Sequence, residues 1–461
     1  MRYLLFGTGD CYERYKRWFC KNEIVALIDN SVDKQGKKLD GYEVISPAEG
    51  IQREFDAVII LSFYVRDMRA QLESLGVTKE KIYHFYDLHR LIDIRKNHKE
   101  LSKYGDFTAQ KGQKKILLLN QNLSIGGPAF TLFDCARILK KNGYYVAYGA
   151  MVDGPLREKI LQENIPVIVD ENLLVGTMKD SLWVQEYDVV ICNAINFYVF
   201  LSDRDTAIPT IWWLHDSKFF YEGVDKQIIS RISELNLRIL AVGNVPKMAL
   251  REYAPELKVE TLLYGVKEDN SYSKMVLGEA FKTKIILNFI TIGFVEARKG
   301  QDILVEAVML LPQYIKKQCR FYIVGENSSM LAKTLEDKAR DIPELIFTGV
   351  VEDVHKYLKN ADVLICPSRE DPMPAVCTEA MMHELPCLVS DAIGTAAYIQ
   401  EKKNGLLFQN GNIEELARQI VWCVEKRQEL TLIGKKSRKI FENNFSMDIF
   451  EKNLLEVIEN I

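Results

Sequence analysis

The sequence predicts an α/β protein whose sheets are largely parallel and whose chain is divided into three successive units. Short apolar runs of strand length alternate with helical segments, the pattern of strand–helix–strand crossovers. The alternation restarts twice, at Ile116 and near Ile285, each time after a polar stretch. The longest apolar runs, such as Ala57 to Leu61, have the length of buried strands, whereas a membrane-spanning helix needs about 20 apolar residues. A length of 461 residues also suits about three domains at roughly 150 residues each.

In the first unit, residues 1–91, the strand R-Y-L-L-F runs into G-T-G-D and a helix, and the next strand, I-V-A-L-I-D, ends at Asp29. A third strand, A-V-I-I-L, follows Asp56. Gly7, Gly9 and Asp29 have the spacing of a dinucleotide-binding turn with a carboxylate for a ribose, although Tyr12 replaces the third glycine. They form a candidate nucleotide site. The competing reading, favoured by so small a domain, is a tight turn without a ligand. Residues 92–115 are polar and basic and read as a linker. Few core contacts should cross it, so a chain beginning near Gln113 is expected to work alone.

The second unit, 116–270, opens with I-L-L-L and reaches N-Q-N-L-S-I-G-G-P-A before a helix from about Phe130 to Lys141. Gly126 and Gly127 would let a ligand approach the backbone at a helix N-terminus, where free N–H groups favour anions and hydroxyls. A plain strand-to-helix turn explains the pair equally well. Further strands are expected at Y-Y-V-A-Y-G-A, V-V-I-C-N-A, T-I-W-W-L-H and I-L-A-V-G. His215 closes W-W-L-H-D at the carboxyl end of a strand, the edge where open α/β sheets bind ligands. D-R-D at 203–205 has the spacing of a metal–diphosphate pair but lies in a polar loop without a third acid, and reads as surface.

The third unit, 271–445, repeats the alternation. After the strand I-I-L-N-F-I-T-I-G-F comes A-R-K-G-Q-D, whose Arg298 and Lys299 beside Gly300 suit a diphosphate. After V-L-I-C-P-S, two prolines hold 371–374 as a loop, and a helix is expected to begin near Ala375. Asp371 and Glu379 lie eight positions apart, with Glu379 about one turn into that helix. An acid there fits a ribose hydroxyl better than a phosphate; the bland alternative is a carboxylate favoured by the helix dipole. The tail, 446–461, carries Ile449, Phe450, Leu454, Val457 and Ile461 at helical spacing, with Ser446 placed to cap.

Sixty basic against 64 acidic side chains leave a net charge of −4, so no global attraction to nucleic acid is expected. Nine cysteines without a C-x-x-C pair give neither a zinc site nor a disulfide framework. Cys11, Cys135, Cys192, Cys366, Cys377 and Cys387 sit among apolar neighbours and are expected in a reduced core. The first residues begin a strand and have no signal-peptide shape, so a cytoplasmic protein is expected.

Taken in order, G-G before the first helix, W-W-L-H-D, R-K-G-Q-D, I-V-G-E, F-T-G-V-V-E-D-V, A-D-V-L-I-C-P-S, E-A-M-M-H-E-L-P-C and N-G-L-L-F-Q-N-G-N-I-E-E-L-A resemble glycosyltransferase family 4. These are retaining enzymes of the GT-B fold, and the resemblance covers about Lys115 to Ile461. It implies two Rossmann-like domains with parallel sheets facing each other across a cleft, with helix 446–461 crossing back to the acceptor domain. The second domain would bind a nucleotide-sugar donor. The first would bind a glycan or lipid-linked acceptor, with a peripheral contact at the inner face of the membrane. The product would be a surface polysaccharide or glycoconjugate. By the same resemblance, Lys299 with Arg298 neutralises the departing diphosphate and Glu379 holds the ribose hydroxyls. Asp371, with Glu370 sharing the task, orients the donor sugar. The amides of Ala375 and Val376 cap the phosphate, His215 contacts the transferred sugar, and Gly126 and Gly127 let donor and acceptor close in. No metal and no cofactor is expected, because cationic side chains and a helix N-terminus supply the positive charge. Phe294 stands where many members carry a diphosphate-binding Arg, and Tyr264 where Asn is usual. The first ninety or so residues resemble a small Rossmann-like domain found beside sugar-modifying enzymes, a resemblance that leaves nucleotide-sugar binding and partner docking both open. Two other classes compete: a non-catalytic nucleotide-sugar-binding or scaffold protein, and, on Gly7, Gly9 and Asp29 alone, a dinucleotide-dependent oxidoreductase.

Overall fold

The computed structural model describes residues 1–94, 96–268, 286–327 and 329–461. The boundary expected near 271 and the restart at Ile285 lie outside these. Three sheets form, and their parallel strands share one order. The N-terminal sheet runs Tyr42–Ile45, Ile24–Ile28, Tyr3–Phe6, Ala57–Ile60, Ile82–His84, with Lys38–Leu39 antiparallel at one edge. In the middle sheet the order is Val167–Val169, Tyr145–Val152, Lys115–Asn122, Val189–Asn193, Thr210–Leu214, Leu237–Ala241, Val259–Thr261. The third runs Leu345–Gly349, Cys319–Val324, Leu287–Ile292, Val363–Cys366, Cys387–Ser390, Leu406–Phe408. In each, the first parallel strand lies beside the fourth. The winding direction reverses there, and the crevice at the carboxyl ends of those two strands is where such sheets take ligands. The strands read as unbroken apolar runs because helices cover both faces: Leu117, Leu118, Leu119, Val363, Leu364 and Ile365 are all buried.

The chain divides into two compact units, one of Met1–Ile239, Ala249–Val259 and Ile461, the other of Leu240–Met248 and Glu260–Asn460. Two expectations need correction. Residues 240–248 and 260–268 group with the second compact unit and not with the rest of 116–270, although the strands Leu237–Ala241 and Val259–Thr261 extend the middle sheet. And 92–115 is not merely a linker: Ser102–Tyr104 pairs antiparallel with Val167–Val169 and so completes an edge of the middle sheet. Nor do few contacts cross it, since Phe63 and Tyr86 of the first domain meet Phe220 and Tyr198 of the second. Apolar aromatics at a sheet edge gain more by burial against a neighbouring domain than by exposure.

Helix Met447–Glu459 buries Phe450, Leu454, Val457 and Ile458. Ser446 occupies its N-cap position, but the hydroxyl donates back to the Glu442 carbonyl at 3.2 Å instead of capping. Beside it, Val266 N–H donates to the Phe445 carbonyl at 2.8 Å and Val266 pairs with Ser446. All nine cysteines are free thiols; eight are buried, including the six expected in the core, and Cys20 is exposed. Among the described residues no helix is long and apolar enough to cross a membrane.

Candidate active site

In the third sheet the crevice lies between Leu287–Ile292 and Val363–Cys366. The loops after these strands carry the two cations and the acid, and close packing fixes both. A Cβ on Gly300, whose φ is +70°, would lie 2.1 Å from the Pro367 carbonyl oxygen. Arg369 then staples the two loops. Its N–H donates to the Arg298 carbonyl at 2.8 Å, and its guanidinium grips both carboxylate oxygens of Asp302, at 2.8 and 2.6 Å. On the far side Gly394 N–H donates to the Asp371 carbonyl at 2.9 Å.

This frame brings Lys299 Nζ to 2.6 Å and an Arg298 guanidinium nitrogen to 3.7 Å from the Asp371 carboxylate, which is 5% exposed. Arg298 also pairs with Glu296 at 2.8 Å and donates to the Glu370 carbonyl at 3.3 Å. Helix Ala375–Met382 starts directly after the loop with Pro374 at its N-cap. Cys377 N–H returns to the Pro374 carbonyl at 3.0 Å, while the amides of Ala375 and Val376 take no acceptor among the described residues. Glu379 follows one turn later; burial raises its carboxyl above the usual range, and His355 partly offsets that. Tyr264, in the position where Asn is usual, anchors the same loop. Its hydroxyl donates to the Met373 carbonyl at 3.0 Å and lies 3.3 Å from Thr378 Oγ1. Phe294 is 64% exposed and contributes its carbonyl to Gln301, at 2.8 Å.

In the middle sheet the crevice lies between Lys115–Asn122 and Val189–Asn193. Helix Gly127–Lys141 begins over it, with Gly126 at the N-cap. Asn193 spans the crevice: its amide donates to Asn120 Oδ1 at 2.9 Å and to the Pro128 carbonyl at 3.1 Å, holding the first helical turn. The next residue, Ala194, has φ +85°, a conformation that costs an alanine energy and that recurs at functional sites. One strand further on, His215 is buried against Trp213, ring centroids 4.6 Å apart. Burial pushes its imidazole down to about 3, so it is neutral at physiological pH, and its Nε2 has no hydrogen-bond partner among the described residues. Asp216 accepts Ile195 N–H at 2.6 Å, and burial pushes its carboxyl up to about 6. In the D-R-D loop, Asp203 pairs with Lys179, Asp205 caps Ala207 N–H at 2.9 Å, and Arg204 is buried on backbone carbonyls.

In the first domain Gly7 turns the chain with φ +104°. Asp29 is spent on that turn: it accepts Thr8 N–H at 2.9 Å and Ser31 N–H at 2.8 Å and pairs with Lys34 at 3.2 Å. Burial pushes its carboxyl up, but the hydrogen bonds from Thr8 and Ser31 prevail and leave it below the usual range.

The family model for glycosyl transferases group 1 matches residues 287–426. Spore coat protein SA of Bacillus subtilis is 31% identical over 318 residues, 64% of this chain and 84% of that protein. The chain belongs to the group 1 glycosyl transferases. This transferase is also 22% identical over 340 residues to the UDP-Gal:α-D-GlcNAc-diphosphoundecaprenol α-1,3-galactosyltransferase of Escherichia coli, across 68% of its own chain and 86% of the relative. A crystal structure of Anabaena HepE in complex with UDP and glucose superposes with a TM-score of 0.62 at 20% identity, covering 76% of this transferase and all of that chain. The fold is therefore GT-B. Residues 1–83 match the C2185-like N-terminal family model.

The transferase thus gathers Arg298, Lys299, Asp371, Ala375, Val376 and Glu379 at one crevice, and Gly126, Gly127 and His215 at the edge of another sheet. The supports Arg369, Asp302, Asn120, Asn193 and Asp216 escape linear reading. Asparagines near the carboxyl ends of two strands were a usable signal; the arginine staple had none.

Proposed function

We propose that this transferase moves a sugar from a nucleotide-sugar donor to a glycan or lipid-linked acceptor, retains the anomeric configuration, and serves surface polysaccharide synthesis. The observation that carries the reading is the pair of buried Asp371 and half-buried Lys299, with Arg298 beside it, at the start of helix Ala375–Met382. The donor diphosphate would take its charge compensation from Lys299, Arg298 and the amides of Ala375 and Val376, groups fixed before the ligand arrives. That is why the reading includes no resident metal or cofactor. Glu379 would accept the ribose hydroxyls, and Asp371 would orient the sugar. Neutral His215, with its free Nε2, would hydrogen-bond a sugar hydroxyl without contributing charge. Gly126 and Gly127 would leave room over the helix terminus. In the transfer step the acceptor hydroxyl oxygen bonds to the anomeric carbon on the face from which the phosphate departs. The carbon–phosphate oxygen bond breaks, and the leaving phosphate takes the hydroxyl proton. The donor class is supported by the UDP bound to Anabaena HepE. Support for the acceptor class comes from the lipid diphosphate in the name of the E. coli relative.

The test is release of nucleoside diphosphate from a panel of nucleotide sugars by wild type and Glu379→Ala. Wild type is expected to act on a member of the panel. The variant should lose the equivalent of a charge-assisted hydrogen bond, about 1.5–3 kcal/mol, as a tenfold or greater fall in kcat/KM. No release from any donor would favour a binding or scaffold protein.

A further inference from the structure

On the side of its fourth and fifth parallel strands, the carboxyl edge of the N-terminal sheet is already occupied. After its fourth and fifth parallel strands, Ala57–Ile60 and Ile82–His84, stand Phe63 and the run His84-Phe85-Tyr86. Phe63 meets Phe220 edge-on at 5.3 Å, and Tyr64 meets Phe219 at 5.4 Å. Tyr86 meets Tyr198 at 5.5 Å, and its hydroxyl donates to Asn196 Oδ1. His84 is fully buried against Gly223, where φ is +85° and a Cβ would lie 2.6 Å from the ring Nδ1. At the rim Arg90 pairs with Asp225, and Arg66 N–H donates to Glu222 at 3.1 Å.

What this edge grips is not an arbitrary surface. Residues 195–198 and 217–225 are the loops directly after Val189–Asn193 and Thr210–Leu214. The first begins beside Asn193, which holds the Gly-Gly helix turn through Pro128; the second begins at His215. Ile195 N–H to Asp216 ties the two loops together.

We propose that the N-terminal domain is a positioning domain: it uses its own ligand edge to hold the two loops that place His215 and the Gly126–Gly127 turn. Tyr86 is its chief positioning residue, acting through Asn196. The proposal rests on the reading of His215 as a sugar contact.

The experiment uses full-length Tyr86→Phe and Gly223→Ala. The first removes one hydroxyl; the second drives a methyl group into His84. Turnover of the sugar nucleotide that wild type accepts should fall about fivefold in Tyr86→Phe and further in Gly223→Ala. The dissociation constant for UDP, bound by the other unit, should stay within twofold, a split that general damage would not produce. Hydrogen exchange at residues 195–198 and 217–225 should quicken at least tenfold in both variants. Turnover within twofold of wild type in both overturns the proposal, as does weakened UDP binding in step with turnover. If wild type releases no diphosphate, the functional reading fails separately; unchanged exchange in these loops would then overturn the positioning role.

Discussion

Two crevices of this molecule share a strand order and a glycine turn, yet differ in what the glycines are for. In the N-terminal sheet the chain itself demands Gly7. Its φ is +104°, and a Cβ would sit 2.7 Å from the Leu61 carbonyl oxygen across the crevice. In the middle sheet Gly126 has extended backbone, φ −167°, and a Cβ on either Gly126 or Gly127 would meet nothing within 4 Å among the described residues. The first crevice is shut by its own backbone at Gly7, while a Cβ on Gly9, at the N-cap of helix Asp10–Tyr15, would meet nothing within 4 Å among the described residues; the second is open at both of its glycines. Glycine spacing alone does not separate a ligand turn from a structural one. The question that does is what occupies the space where the side chain would be.

The largest blow should fall on the third crevice, where the charge is. Lys299→Ala should lower diphosphate release about a hundredfold or more, the scale of losing one preorganised charge-stabilising group. Retained turnover in a folded variant would reduce the Lys299–Asp371 pair to scaffolding.

Next come the two carboxylates, whose pH signatures should be opposite. The folded-state carboxyl of Asp216 is raised to about 6 from 3.8, so its contribution is complete below about pH 4 and is lost as pH rises towards 6. Asp216→Asn should therefore gain up to about 3 kcal/mol of stability relative to wild type between pH 4 and 7. The folded-state carboxyl of Asp29 is lowered, so its contribution is present above the unfolded value and lost on acidification. Melting curves of Asp216→Asn between pH 4 and 7, and of Asp29→Asn as pH falls below about 4, check both signs; curves parallel to wild type in both windows would erase the distinction.

Gly127→Val sharpens the comparison directly. About a tenfold fall in kcat/KM with little change in melting temperature is expected, since the Cβ of the new side chain meets nothing within 4 Å among the described residues and a ligand would meet its branches. If activity is unchanged, Gly127 joins Gly7 as a structural glycine. The smallest effect should come from Asp29→Ala: a loss of about 1 kcal/mol in stability, with the KM for the donor within twofold of wild type. A large KM change would reinstate the nucleotide site at Gly7, Gly9 and Asp29.

The strands were legible because burial on both faces leaves unbroken apolar runs, and such runs announce themselves at V-L-I-C or I-L-L-L. The cluster at the third sheet's crevice was legible because Arg298, Lys299, Asp371 and Glu379 fall in two short segments. The docking of the first domain was not. Phe63, Tyr86, Phe219 and Phe220 read like ordinary core residues, and nothing in their spacing says that the core they complete spans two domains. Asn193 becomes informative only once the sheet register sets it beside Asn120. Tyr264 looked like a defect, and its hydroxyl proves to hold the Met373 carbonyl between two prolines.

The contact between Val266 and Phe445 has a practical consequence. Val266 and Phe445, at the two ends of the intervening segment, meet through a backbone hydrogen bond of 2.8 Å. A segment whose ends meet in this way can be lifted out and replaced as a cassette, because its two junctions already sit one strand spacing apart. A corresponding segment from a relative that uses a different sugar could be spliced between Val266 and Ser446 without new linkers. On the proposed reading, sugar choice would then be exchanged as one piece, while the loops around His215 stay as they are.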